Sequence, residues 1–340
     1  MSPLPAVNSK RIVIAGGSGF IGRALAAAFC ARDFEVVVLT RRSGAGTLPV
    51  SCPDGVGQGD GDAAGQKYTR RMPVPLRAEA WNGVGPGAWT ALLDGAAAVI
   101  NLTGKNINCP HTPGNLREIT ASRVNSVSAI ATAIQQARIP PRVWVQASAV
   151  GFYGDTADTV CDETAPVGSD PLANICRQWE GAFALADPGR TRKVAFRIGL
   201  VLGRDGGALP VMSRMTRWFL GGAAGSGRQY ISWIHLEDLA AMFMAATTNE
   251  DLSGVFNAVS PRTATNAQFM RELRRAWHRP WSPPMPAFIV KLGARLTGSE
   301  GSLALVSQRC VPKRFLAAGF QFRFADLSAA LDDLIRHPAT

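Results

Sequence analysis

Three glycines, Gly16, Gly19 and Gly22, lie between the apolar run Arg11-Ile12-Val13-Ile14-Ala15 and a stretch from Phe20 to Ala31 whose apolar residues recur at helical spacing. Glycines at this spacing carry meaning because they follow a strand and open a helix. Gly16 permits a tight turn, Gly19 lets the backbone approach an anion with no Cβ in the way, and Gly22 lets the helix pack close on the sheet. Ser18, Phe20 and Ile21 fill the remaining positions of the turn. Free N–H groups and the helix dipole at such a terminus favour a pyrophosphate. A second apolar run, Phe34 to Leu39, completes a strand–helix–strand unit of the kind that carries dinucleotides. It ends in Thr40-Arg41-Arg42, where an NAD-binding unit usually places Asp or Glu on the ribose hydroxyls. No acid stands there to repel a 2′-phosphate, and two guanidiniums can bind one. The expected cofactor is NADP(H).

Other chemistries find little purchase. The histidines His111, His235, His278 and His337 are scattered with no i, i+4 pair, so no metal site is expected. The six cysteines form no CxxC pair, which suggests neither zinc nor a disulfide framework and points to a reducing, cytoplasmic compartment. No GxSxG elbow supports a hydrolase. The formal charge is +11, and residues 255–340 hold twelve Lys/Arg against five Asp/Glu. Such an excess fits nucleic acid, an anionic membrane surface, a phosphate-bearing ligand or a plain solvated face. The Arg-rich segment from Arg271 to Trp281 includes Trp277 and reads as an amphipathic surface helix, so no nucleic-acid partner is expected. Residues Met1 to Lys10 lack the apolar region of a signal peptide, and no apolar run is long enough for a membrane span.

At 340 residues, 46% of them hydrophobic and 18% charged, the chain suits one large α/β domain with an appendage. Strands are expected at 97–102, 143–147, 194–202 and 255–258, and helices at 89–93, 115–138, up to Ala186, and at 234–247. The alternation predicts a Rossmann-type doubly wound parallel sheet with a smaller C-terminal substrate-side domain. The nucleotide-binding domain is expected over 10–205 with roughly 229–260, and the helical domain over 206–228 and 261–340. Gly, Pro, Ser and Asp crowd the interval after Ser43, so residues 43–77 are expected to be a flexible surface loop.

Several segments together resemble the extended short-chain dehydrogenase/reductase superfamily, and within it the epimerase family proteins that carry a C-terminal domain of unknown function. They include Gly16–Gly22 with Thr40-Arg41-Arg42, Val99 to Gly104, Ala121-Ser122-Arg123-Val124 and Ala147 to Asp155. Cys176-Arg177-Gln178-Trp179-Glu180, Arg197 to Gly203, Ser232 to Leu239, Phe256 to Val259 and Pro312 to Phe324 complete the set. The resemblance implies that Gly16, Ser18, Gly19, Phe20, Ile21 and Gly22 line the pyrophosphate, and that Arg41 and Arg42 hold the adenosine phosphate. Leu102, Thr103 and Gly104 would run along the ribose, Arg123 would join the cofactor set, and Ala147 and Ser148 would approach the nicotinamide.

The superfamily moves protons with a Tyr-x-x-x-Lys pair and a Ser or Thr. Here Tyr68, Tyr153 and Tyr230 are followed four residues on by Met72, Ala157 and Ile234, so the pair is absent. Aligning Glu180 with the acid that follows that lysine puts Cys176 at the Lys position and Leu172 at the Tyr position. Candidate substitutes are Ser148 to polarise a carbonyl, Tyr153 to supply a proton, and Cys176 as nucleophile or acid, or as a small apolar core residue. Arg197, Trp233 and His235 are candidates for the substrate pocket. His235 has a second reading as a helix N-terminal residue bonding backbone, and Glu163 reads as a loop acid. The expected function is that of an NADP(H)-binding atypical short-chain oxidoreductase or epimerase acting on a small molecule, as a monomer or homodimer. The alternative is a non-catalytic NADP(H) sensor or scaffold, which the resemblance connects with cell division.

Overall fold

The computed structural model describes residues 10–41, 47–51, 73–296, 298 and 300–336. The chain begins with β1 (Arg11–Ala15), α1 (Phe20–Cys30) and β2 (Glu35–Thr40), then β3 (Thr47–Ser51) and β4 (Pro73–Ala80). Next come β5 (Ala98–Asn101), α2 (Pro113–Gln136), β6 (Val143–Ala149), β7 (Val160–Cys161), α3 (Pro171–Leu185) and β8 (Arg192–Ile198). The later part holds β9 (Leu200–Leu202), α4 (Leu209–Arg217), β10 (Tyr230–Ile231), β11 (Trp233–His235), α5 (Leu236–Thr248) and β12 (Gly254–Ala258). The last elements are β13 (Ala264–Thr265), α6 (Asn266–Ala276), α7 (Ala287–Leu296), β14 (Arg309–Cys310), α8 (Lys313–Ala317) and α9 (Leu327–Arg336).

Eight strands form one sheet in the order β12-β8-β6-β5-β1-β2-β4-β3. Seven run parallel, and β3 lies antiparallel at the edge. The continuous apolar runs now have their reason. Ile12, Val13, Ile14, Val37, Val38 and Leu39 have no exposed surface because helices cover both faces of the sheet. Each such side chain contributes roughly 1.5–3 kcal/mol by leaving water. Trp144 on β6 meets Phe183 of α3 edge-on at 4.7 Å, which seats that helix. The strand order reverses between β1 and β5, and the crevice at the carboxyl ends of these strands is where ligands of this architecture bind.

Two expectations need correction. Residues 43–77 are not simply a loop. β3 and the first part of β4 lie within that interval, with β4 parallel to β2 and Val37 opposite Arg77. Pro73 and Pro75 read as breakers, yet Leu76 and Ala78 alternate inward and supply the burial a strand needs. The interval between these strands lies outside the described residues. Nor is 194–202 one strand. The chain breaks at Gly199, where a Cβ would stand 2.4 Å from the Ser232 carbonyl oxygen. Beyond it β9 leaves the large sheet and pairs with β11.

Around β9 and β11 a second, smaller core gathers Leu202, Leu209, Trp233, Phe269, Leu273 and Leu331. It joins α4, α6 and α9 into the smaller C-terminal body. Thr265 caps α6 through a reciprocal box with Gln268.

The tightest contact in the first turn is at Gly22, where a Cβ would fall 2.4 Å from the Gly17 α-carbon. Backbone cannot swing aside as a side-chain tip can. We expect Gly22→Ala to lower stability by about 1–3 kcal/mol, read as an earlier thermal midpoint, with β1 and α1 losing amide-exchange protection first. An unchanged midpoint would show that helix and turn can separate at no cost.

Candidate functional site

The glycine turn has the geometry expected of an anion cradle. Gly16 takes φ +78°, a conformation that favours glycine, and its α-carbon abuts the Leu102–Thr103 peptide. Its N–H donates to the Leu39 carbonyl at 3.1 Å, and the Gly19 N–H donates to the Gly16 carbonyl at 3.1 Å. Gly19 is the N-cap of α1, so no side chain caps this helix, and no acid sits in its first turn. The first N–H groups of a helix have no intrahelical acceptor, and here they remain available to an anion.

Four loops at strand ends enclose a cleft of about 200 Å³ beside this turn. Gly16, Ser18 and Gly19 follow β1; Leu39, Thr40 and Arg41 end β2; Trp81 and Gly83 follow β4; Leu102, Thr103 and Gly104 follow β5. Among the described residues, Arg41 is the only charged side chain on its wall, and it is exposed. Arg42 lies outside the described residues. Ser18 Oγ and Thr40 Oγ1, 3.4 Å apart, link the turn to the end of β2. Arg23 Nη1 donates to the Ser18 carbonyl at 3.0 Å, bracing the turn from α1.

Buried polar groups hold the Leu102–Gly104 wall. Asn101 Oδ1 accepts the Thr103 N–H at 3.0 Å, and Asn101 Nδ2 donates to Ser126 Oγ and Gln146 Oε1, both at 3.0 Å. All three side-chain partners are buried. Behind Gly104 lies the Arg123 guanidinium, and a Cβ on that glycine would sit 2.9 Å from its Cζ. Arg123 Nη1 donates to the Lys105 and Ile119 carbonyls, and the group stacks 5.0 Å from the Trp179 ring centroid. Burial lowers its pKa. It has no ion-pair partner among the described residues.

The residues expected to do proton chemistry form a separate, closed network. Ser148 Oγ donates to Glu180 Oε1 at 2.6 Å. Glu180 also takes a two-pronged pair from Arg197, Nε to Oε1 at 2.9 Å and Nη2 to Oε2 at 2.8 Å. Arg197 Nη1 donates to the Tyr153 hydroxyl at 2.9 Å, and that hydroxyl donates to Asn257 Oδ1 at 2.7 Å. Arg197 also covers the Phe152 ring at 3.5 Å. The Asn257 N–H donates to the Glu163 carboxylate, which also accepts the Arg314 N–H. Tyr153 is 4% exposed, and burial pushes its pKa well up against the opposing pull of Arg197. Cys176 is 5% exposed, and burial pushes its thiol up to about 12. At neutral pH neither is an acid of useful strength.

The remaining candidates scatter. Ala147 is a core residue of β6 and does not reach the cleft wall. Phe20 turns its ring onto Gly203, Gly206 and Gly207. Ile21 packs against the main core, and Gly22 serves packing. Trp233 and His235, expected as pocket walls, are packing groups. Trp233 is fully buried in the second core. His235 caps α5 by accepting the Glu237 N–H on Nδ1 at 3.1 Å, stacks on Phe324 at 3.9 Å, and lies 3.4 Å from the Asp333 carboxylate. The helix-terminus reading of that histidine is the one the geometry favours. Leu39, Trp81 and Gly83 were absent from the expected wall. The strand that delivers the last two was hidden among prolines.

With this geometry in place, comparison with known proteins becomes informative. Residues 12–258 match the NAD dependent epimerase/dehydratase family. The chain belongs to that family. Residues 285–334 match a domain of unknown function, DUF1731. The bovine epimerase family protein SDR39U1 is 34% identical, over 96% of this chain and 99% of its own length. The Arabidopsis thaliana SDR39U1 homologue, described as chloroplastic, is 33% identical over 95% of this chain and 86% of its own. A crystal structure of human SDR39U1 with NADPH superposes at a TM-score of 0.78 with 31% identity, covering 96% of this chain and all of that one. Within the described residues, no helix is long and apolar enough to cross a membrane.

Breaking the buried pair should be costly. Arg197→Met leaves Glu180 charged and unpaired, and is expected to destabilise by about 3–5 kcal/mol. Tyr153→Phe removes one bond at each end and should cost about 1–2 kcal/mol. Both are read by chemical denaturation, and a neutral Arg197→Met would mean the pair is solvated. A pH prediction follows from His235, whose pKa burial lowers from 6.5 to about 4. As pH falls below 6.5 the unfolded chain takes a proton that the folded histidine refuses, so stability should decline between these values. His235→Asn retains a capping acceptor, and its stability curve should be flatter over that window.

Proposed function

We propose that the chain binds NADP(H) along the carboxyl ends of β1, β2, β4 and β5. The observation that carries this reading is a cleft with an uncapped helix N-terminus at one side, Arg41 at the other, and no carboxylate on its described wall. A diphosphate fits the first feature, and a 2′-phosphate fits the second. The NADPH in the human relative's crystal structure supports the same assignment. Gly16, Ser18 and Gly19 hold the pyrophosphate, Thr40, Arg41 and Arg42 the adenosine end, and Leu102 to Gly104 the nicotinamide ribose.

The activity we assign is that of an atypical short-chain oxidoreductase or epimerase on a small substrate. The bound nicotinamide supplies or accepts the hydride. Ser148 can donate to a substrate oxygen only by giving up its 2.6 Å bond to Glu180. Tyr153 has both sides of its hydroxyl engaged. Arg123, beside Gly104 and with no ion-pair partner among the described residues, is the group placed to meet negative charge on a substrate or on the ribose side. The same closed network favours a second reading, a dinucleotide sensor or scaffold without turnover. Cys109, Cys161, Cys176 and Cys310 are free thiols, which accords with a reducing compartment such as the cytoplasm.

Fluorescence titration with NADPH and NADH tests the first step. The native protein should prefer NADPH. Arg41→Glu should weaken NADPH by about tenfold to a hundredfold, since bonds to charged groups are worth roughly 1.5–3 kcal/mol, and leave NADH nearly unchanged. Equal loss for both would remove the phosphate clamp. A screen of carbonyl substrates for NADPH oxidation then separates the enzyme from the sensor.

A further inference from the structure

Thirteen large apolar side chains are exposed among the described residues, and eight of them lie at 211–220 or 281–292. Trp218 is 75% exposed, Trp281 72% and Phe288 69%, with Phe219, Leu220 and Leu292 each more than half exposed. The two stretches are neighbours in space. Gly222 packs against the Pro283 carbonyl, the Gly225 N–H donates to the Met285 carbonyl at 2.8 Å, and the Arg279 guanidinium covers the Phe219 ring at 5.0 Å. Contiguous exposed apolar surface of this kind marks a contact site rather than ordinary surface.

The charge around it has one sign. Residues 206–228 contain three arginines and no Asp or Glu, and residues 277–299 contain two arginines, one lysine and no Asp or Glu. Helix α7 combines both properties on one side. Phe288, Lys291, Leu292 and Arg295 follow the i, i+3, i+4, i+7 spacing of one helix face, and all four are exposed. A surface helix of a water-facing domain shows the reverse arrangement, with its apolar stripe turned inward. A second copy of the chain would set six cations against six, so self-association across this face is electrostatically opposed.

We infer that this face docks on an anionic lipid surface. Helix α7 lies in the headgroup plane with Phe288 and Leu292 turned into the acyl boundary, while Lys291 and Arg295 extend to lipid phosphates. Trp218 and Trp281 sit at headgroup level, where an indole places its ring in apolar surroundings and its N–H in water. The attachment is peripheral, and it belongs to a surface separate from the dinucleotide cleft.

Sedimentation of the full chain with vesicles tests it. The protein should pellet with phosphatidylcholine vesicles containing about a third phosphatidylglycerol, and stay in solution with phosphatidylcholine alone. Tryptophan emission should shift to shorter wavelength on binding, and salt of about 0.5 M should release the protein. The pairs Phe288→Ser with Leu292→Ser, and Lys291→Glu with Arg295→Glu, should each weaken partitioning at least about tenfold at an unchanged thermal midpoint. Should the first pair unfold, Trp218→Ser with Trp281→Ser probes the same face from other segments. Three outcomes would overturn the inference: no partitioning of the native protein, full partitioning by the apolar variants, or self-association that these variants abolish while vesicles do nothing. Retention on immobilised polyglutamate without vesicle binding would likewise overturn it, and would reassign the face to an acidic protein.

Discussion

The Glu180–Arg197 pair is the contact on which the interior of this chain depends. Glu180 comes from α3 and Arg197 from β8; Ser148 of β6 bonds the first, Tyr153 in the turn after β6 bonds the second, and Asn257 of β12 bonds Tyr153. Two charges withdrawn from water are tolerable only when every remaining lone pair and proton finds a partner. Here Ser148 donates to Glu180, Tyr153 and the Glu163 carbonyl accept from Arg197, and the Phe152 ring covers the guanidinium face. The network therefore sets the register of α3 against the sheet and leaves those side chains little freedom. In an enzyme that moves protons, some of these positions would need to stay open.

The nucleotide side has the opposite character. Its polar groups are backbone N–H groups at a helix end, and the wall around them is mostly glycine and small side chains. What is left unsatisfied there is left unsatisfied toward the cleft. The division between an open cradle and a closed polar core explains why the family assignment and the cofactor can be read from this chain more readily than the chemistry. The human relative shares the fold across its whole length.

Much of this was legible in the sequence, for reasons tied to particular residues. Gly16, Gly19 and Gly22 declare a strand–turn–helix because only backbone conformation and close approach are at stake, and both are local. The buried strands declare themselves as runs of Val, Ile and Leu. β4 did not, because Pro73 and Pro75 mask the alternation of Leu76 and Ala78. Its loss also concealed Trp81 and Gly83. The role of Tyr153 was equally hidden, and for His235 the sequence left the pocket and the helix-terminus readings open. A tyrosine at a strand end and a histidine before a helix look available in sequence. Their partners, Asn257 and Arg197 for one and Phe324 and Asp333 for the other, arrive from up to about a hundred residues away.

Phe20 has a bearing on how such chains can vary. Its ring rests on Gly203, Gly206 and Gly207; a methyl group would collide with it at the first two, and the third holds φ +72°. The glycines lie more than 180 residues from Phe20 in sequence, yet with it they form one steric unit shared by the nucleotide turn and the segment leading into α4. Gly203 and Gly206 cannot acquire a side chain unless the phenylalanine moves, and a smaller residue at position 20 would leave a void over three bare α-carbons. Drift at these sites must therefore be concerted. In an alignment of relatives, position 20 should covary with the glycine triplet, a record of physical contact written in inheritance rather than in chemistry.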